Sequence, residues 1–124
     1  MRIFKTKWFA RFARREGVED VALVAAIRQI EAGRVDADLG GGIVKQRVAR
    51  RGQGKSGGYR TIIAYRSGDR AVFLHGFAKS DVDNIDADDL ERLKGAARQM
   101  MTWDQRQISK QLVSGAWLEI EDDA

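Results

Sequence analysis

The stretch from Lys45 to Arg60, KQRVARRGQGKSGGYR, carries six cations and no acid. Side chains alternate along a strand, so Lys45 and Arg47 share one face if this segment is extended. Arg60 lies past the glycines, on the returning strand of a hairpin, where it can converge with them. Cations converging on a concave sheet can grip a phosphate, orient it and offset the charge that develops during phosphoryl transfer. A merely solvated strand face would show the same alternation. Six cations without a counter-ion repel one another, which argues for an arriving anion.

The glycines invite two nucleotide-binding readings, and both fail on context. Gly52, Gly54 and Gly57 spell G-x-G-x-x-G, but that fingerprint must follow a strand and open a helix. Here Tyr59 to Ile63 reads as strand. The tripeptide Gly54-Lys55-Ser56 resembles the end of a phosphate loop, but Ala49 stands where its leading glycine belongs, and no helix follows. Further on, His75, Phe77 and Lys79 fall at alternate positions and share a face. His75 is the one histidine in the chain and can act as a general acid or base near neutral pH, or simply fill surface or core. Phe77 can stack on a base or pack in the core. Tyr59 and Tyr65 fall opposite Arg60, which points both to the core.

These residues need elements to hold them. Met1 to Phe4 suits a short edge strand. Trp8, Phe9, Phe12 and Ala13 recur at helical spacing, with Gly17 as the stop. A second helix runs from Val18 to Ala32, with Val21, Val24, Ile27 and Ile30 or Glu31 on one side and Gly33 ending it. After the flexible Gly40-Gly41-Gly42 the period changes to two. Strands are expected from Ile43 to Arg50, Tyr59 to Arg66 and Ala71 to Phe77, with turn chemistry at Ser67-Gly68-Asp69. Strands joined by turns imply an antiparallel meander. Asp86 can cap a helix whose stripe is Leu90, Leu93, Ala97 and Met100, with Asp88 and Asp89 favourable at its N-terminus. That stripe falters at Trp103-Asp104 and resumes weakly at Ile108 and Leu112. Gly115 ends it, and Trp117 to Ile120 forms a last edge strand or a frayed tail. The expected class is α+β, a small antiparallel sheet with two N-terminal helices and a C-terminal helix.

Composition narrows the function further. At 124 residues the chain suits a single domain, residues 1–124. There is no cysteine, so disulfides and thiolate metal sites are out, in keeping with a reducing cytoplasm. One histidine leaves little material for zinc or for a Ser-His-Asp or Cys-His arrangement, so no metal and no cofactor is expected. No apolar run is long enough to span a membrane, and the first ten residues lack the apolar stretch of a secretory signal. The net charge of +4 hides a polarised chain: residues 1–79 hold 17 Lys and Arg against 7 Asp and Glu, residues 80–124 hold 5 against 11. A polyanionic partner for the first part follows, and nucleic acid is the commonest.

The run VKQRVARRGQGKSGGYRTIIAY, followed by FLHGFAKSDVDNI, resembles the RelE/ParE superfamily of type II toxin–antitoxin toxins. It is most similar to a RelE/HigB-like branch with a K-x-R-x-A-R…G-x-G-K-x-G-G-x-R signature and a downstream F-x-K-x-(D/E)-x-x-N-(I/L). The similarity runs from about Gly41 to Ile85, and the element order extends it over most of the chain. The resemblance implies a RelE-like sheet with two N-terminal helices on one side, entering the ribosomal A site to cleave mRNA without metal, by attack of the RNA's own 2′-hydroxyl. It implies that Arg60 holds the scissile phosphate, with Lys45, Arg47 and Lys79 as the other basic site residues and His75 in proton transfer. Arg50, Arg51 and Lys55 are then RNA-binding residues that touch ribosomal RNA. Tyrosine is common in the branch where His75 stands; histidine keeps the proton-transfer ability but changes reach and pKa. The implied partners are a cognate antitoxin with a helix-turn-helix, the ribosome and mRNA. The superfamily also contains gyrase inhibitors, and a non-catalytic RNA-binding module would share the same basic surface.

Overall fold

The computed structural model describes residues 1–50, 54–78 and 85–121, and of residues 50 and 54–57 the backbone alone. Among these, β1 (Arg2–Thr6) leads into α1 (Lys7–Glu16) and α2 (Asp20–Glu31). The strands β2 (Ala37–Gly40), β3 (Ile43–Arg50), β4 (Gly54–Arg66) and β5 (Arg70–Ala78) follow, then α3 (Ala87–Thr102), α4 (Gln105–Ser114) and β6 (Trp117–Ile120). The sheet order is β2-β3-β4-β5-β1-β6. The α+β class with a mainly antiparallel sheet is as expected, with two helices where one C-terminal helix was expected.

Each boundary has a local cause. Thr6 caps α1 by accepting from the Phe9 N–H at 3.1 Å, and Gly17 closes it in the left-handed region at φ 73°. Gly40-Gly41-Gly42 is the turn of a β2–β3 hairpin. Gly40 pairs with Ile43, leaving Gly41 and Gly42 as a two-residue connection with φ 62° and 80°, the positive values such tight hairpins require. The faltering stripe at Trp103-Asp104 is a real break. Asp104 accepts from the Gln107 N–H at 2.9 Å and Gln107 Oε1 accepts from the Asp104 N–H at 2.9 Å, a capping box that starts α4. Asp86 caps α3 as expected, accepting from the Asp88 N–H at 2.7 Å. At the far end of α3, Arg70 and Arg66 donate to the carbonyls of Met100 and Met101, each at 2.9 Å. Those orphan carbonyls and the negative end of the helix dipole are thereby satisfied.

Three expectations shift. β1 is not an edge: it pairs in parallel with β5 and antiparallel with β6, which takes the edge. Ile3 and Phe4 are both buried, at 2% and 0% exposure, so β1 is covered on both faces as an interior strand must be. In α2 the core stripe is Leu23, Ala26, Ile27 and Ile30, while Val21 stays 71% exposed. In α1 the inward set is Phe9, Ala10, Phe12 and Ala13, and Trp8 is left outside.

The core lies on both sides of the sheet. α1 and α2 pack with Ile3, Val44, Val48, Tyr59, Ile63 and Phe73 on one face. Ala97 of α3 and Ile108 of α4 pack with Phe4, Ile43, Ile62, Ala64, Val72 and Leu74 on the other. Tyr59 and Tyr65 belong to the first side, as expected, and Tyr59 donates to the Glu16 carbonyl at 3.2 Å, tying β4 to the end of α1.

Candidate phosphate-binding face

Strand register brings the expected residues together. Arg47 pairs with Arg60, and Arg60 with Phe77. One step along, Lys45 pairs with Ile62, and Ile62 with His75. Tyr59 and Ile63 belong to the core beneath α1 and α2. Alternation therefore turns Arg60, Lys45 and Arg47 to the opposite face, the one that α3 partly covers.

His75 joins that face through a bulge. Ile62 pairs with His75 but Ile63 pairs with Phe73, so Leu74 is an extra residue in β5. Leu74 and His75 both lie opposite Ile62, and alternation resumes beyond them with its phase reversed. Gly76 consequently points at α1: a Cβ there would lie 2.5 Å from Phe12 Cε2. His75 and Phe77 fall on the other side, beside Arg60.

Arg60 is the centre of the arrangement. It is only 9% exposed, and among the described residues its buried Nη1 has no hydrogen-bond partner. A buried guanidinium nitrogen without an acceptor is costly, and the usual remedy is a carboxylate or phosphate oxygen. Arg47 is held weakly. Its Nε lies 3.9 Å from Asp36 Oδ2 with the side chain 46% exposed, a pair of little energetic weight. Its strand is better fixed than its head group, because Asp36 also accepts the Arg47 backbone N–H at 2.6 Å. Gln46 donates to the Arg34 carbonyl and accepts from the Asp36 N–H, both at 3.0 Å. Thr61, on the same side as Gln46, donates to the Gln46 carbonyl at 2.8 Å. Lys45 is half-buried.

His75 is half-buried between aromatic rings. Trp8 stacks on it at 4.6 Å between centroids and 26° between planes, and Phe77 lies 6.0 Å away, tilted by 47°. Burial pushes the imidazole below its ordinary pKa of 6.5, and the charge of Asp89 on α3 partly opposes that shift. The ring is therefore mainly neutral at pH 7, the form that accepts a proton. Phe77 is 7% exposed and is a packing residue here.

Lys79 and Arg51 lie outside the described residues, as do the side chains of Arg50 and Lys55. Among the described residues no cluster of His, Cys, Asp or Glu is arranged to hold a metal, and no helix is long and apolar enough to cross a membrane. Trp8 was not among the expected site residues; the sequence placed it only in the helical spacing of Phe9, Phe12 and Ala13. The signal available was position: a residue in the first turn of α1, beside the end of β1, sits next to the part of β5 that β1 does not cover.

Residues 1–120 match the family model described as RelE toxin of RelE / RelB toxin-antitoxin system. A direct comparison with curated proteins gives no match.

Proposed function

Because the chain belongs to the RelE toxin family of toxin–antitoxin systems, we propose that it is the toxin partner of an antitoxin and cleaves mRNA on the ribosome. The observation that carries this reading is Arg60, a buried cation whose Nη1 has no acceptor among the described residues, at the centre of a face that also holds Lys45, Arg47 and His75. One phosphodiester placed against Arg60 would satisfy that nitrogen and bring its oxygens within reach of the neighbouring strand's cations.

In this reading the RNA supplies its own nucleophile. The 2′-oxygen attacks the adjacent phosphorus as its proton leaves, the bond to the 5′-oxygen breaks, and a 2′,3′-cyclic phosphate and a 5′-hydroxyl result. Neutral His75 accepts the 2′-hydroxyl proton, and the departing 5′-oxygen takes a proton from water to become the 5′-hydroxyl. Arg60, with Lys45 and Arg47, offsets the charge on the phosphoryl oxygens, where preorganised cations are most effective. Lys79 is the fourth cation proposed for this site. Arg50, Arg51 and Lys55 are proposed as anchors on ribosomal RNA, and the cytoplasm is the compartment that holds these targets.

The test is Arg60→Ala, expressed without antitoxin, with cleavage mapped on mRNA engaged by ribosomes. Growth arrest and cleavage are both lost if Arg60 holds the phosphate; full toxicity would sink the assignment. Supercoiling assays with the wild-type chain separate this reading from gyrase inhibition. RNA binding without cleavage products would leave a non-catalytic binding module.

A further inference from the structure

We infer that the start of α1 forms a second RNA subsite, in which Trp8 stacks on a nucleobase next to the scissile phosphate while Lys7 and Arg11 hold flanking backbone phosphates. The inference rests on the RNA-directed reading above and extends it beyond the sheet.

Three observations carry it. First, Trp8 is an indole left 43% exposed on a helix that buries its other aromatics, Phe9 and Phe12, almost completely. Its contact with Phe12 is near-parallel at 9° but 5.9 Å between centroids, an offset arrangement rather than full face-to-face cover. Second, Trp8 rests on His75 at 4.6 Å, so the open indole is continuous with the face that carries Arg60. A strand of RNA leaving Arg60 past His75 meets Trp8 next. Third, α1 presents a cationic stripe around the indole. Lys7, Arg11, Arg14 and Arg15 are all exposed, and the only acid in the helix is Glu16 at its end. Positions 7, 8, 11 and 15 are spaced by three and four, so they lie along one side of the helix. An aromatic flanked by cations matches single-stranded nucleic acid, because every base offers a ring face and every linkage a negative charge.

The experiment uses the Trp103→Phe/Trp117→Phe double variant, which leaves Trp8 as the only tryptophan; these two rings pack against each other 5.2 Å apart, in the core beneath α3 and α4. The probe is a short single-stranded RNA with 2′-O-methyl sugars, which cannot be cleaved. Saturable quenching of Trp8 is expected. Trp8→Ala should weaken binding about 10- to 100-fold, the range for loss of one base stack, while Trp8→Phe restores most of it. Lys7→Ala/Arg11→Ala changes exposed residues only, so folding is preserved; it should reduce the slope of log affinity against log salt by about 1.4, or about 0.7 per lost contact. Unquenched Trp8, or an unchanged salt slope in the double alanine variant, would overturn the inference. Quenching by the cognate antitoxin but not by RNA would overturn it in favour of a protein-binding surface. Ribosome cleavage assays on the same variants keep the two proposals apart. If Trp8→Ala cleaves like wild type and Arg60→Ala does not, the subsite fails and the active face stands; if Arg60→Ala cleaves like wild type, the proposed function fails.

Discussion

If Arg60 is built for an anion, the anion-free protein should be less stable than it would be without that arginine. Arg60→Met keeps most of the side-chain volume and removes the buried charged head group, including the Nη1 that lacks an acceptor among the described residues. A buried polar group left unpaired costs roughly 1–3 kcal/mol, and replacing buried charge with well-packed apolar atoms is often stabilising. For a domain of this size that gain corresponds to a rise in Tm of roughly 4–12 °C. The assay is thermal unfolding in a buffer free of phosphate and sulfate, followed by circular dichroism. A second arm adds inorganic phosphate, or the 2′-O-methyl RNA, to both proteins. A ligand at about 100 times its Kd stabilises the folded state by about 2.7 kcal/mol, so the wild type should rise toward the variant, which should respond little. If Arg60→Met melts at or below wild type and phosphate raises both equally, the nitrogen is not waiting for an anion and the argument collapses.

Other expectations follow from particular contacts. Because burial holds His75 below its ordinary 6.5, the unfolded chain binds more protons between that value and the lower folded one. This contribution to stability is therefore intact above pH 6.5 and is lost as pH falls through the window; Tm measured from pH 7.5 to 5.5 should fall less steeply in His75→Asn than in wild type. Asp89 raises the His75 pKa, so Asp89→Asn should lower it further, read from the titration of the single imidazole by NMR. Tyr59→Phe removes the hydroxyl that donates to Glu16 and should cost about 1 kcal/mol in urea unfolding with an unchanged m-value. A Cβ at Gly58 would run into the Val48 carbonyl oxygen on the paired strand. Gly58→Ala should therefore cost roughly 1–3 kcal/mol by forcing β3 from β4, measured by the same unfolding curves.

Local signals made much of the fold legible. Helix stops at Gly17 and Gly115, the Asp86 cap and the turn at Ser67-Gly68-Asp69 all act within a few residues of chain. The same is true of the hairpin that sets Arg47 beside Arg60, since period-two alternation and a glycine-rich loop specify it. What the sequence did not expose depends on partners far away in the chain. β1 becomes an interior strand only because β5 and β6, some 70 and 115 residues later, come to flank it. Trp8 shares the helical spacing of Phe9 and Phe12, but it lies against His75 on the part of β5 that β1 does not cover. Val21 falls on the apolar side of α2 by spacing alone, whereas the buried stripe is rotated toward Leu23 and Ala26.

The hardest feature to foresee is the one that assembles the candidate site. Strict alternation along β5 would put His75 and Phe77 on the side of Phe73, under α1 and away from Arg60. The extra residue at Leu74 reverses the phase, so Phe73 stays in the core while His75 crosses to the cationic face. Gly76 is the counterpart of that reversal: its α-carbon faces Phe12 so closely that a Cβ would meet the ring at 2.5 Å, and only glycine lets β5 lie flat there. The bulge also explains why one histidine can contact Trp8 on α1 and feel Asp89 on α3 at once, since it sits where the strand bends between the two layers. Deleting Leu74 should restore regular pairing and return His75 to the Phe73 side. A protein that still folds, shows the His75 titration moved by burial among apolar rings and no longer feels Asp89→Asn would fit that account. An unchanged response to Asp89→Asn in the deletion variant would show that the bulge is not what aims the imidazole.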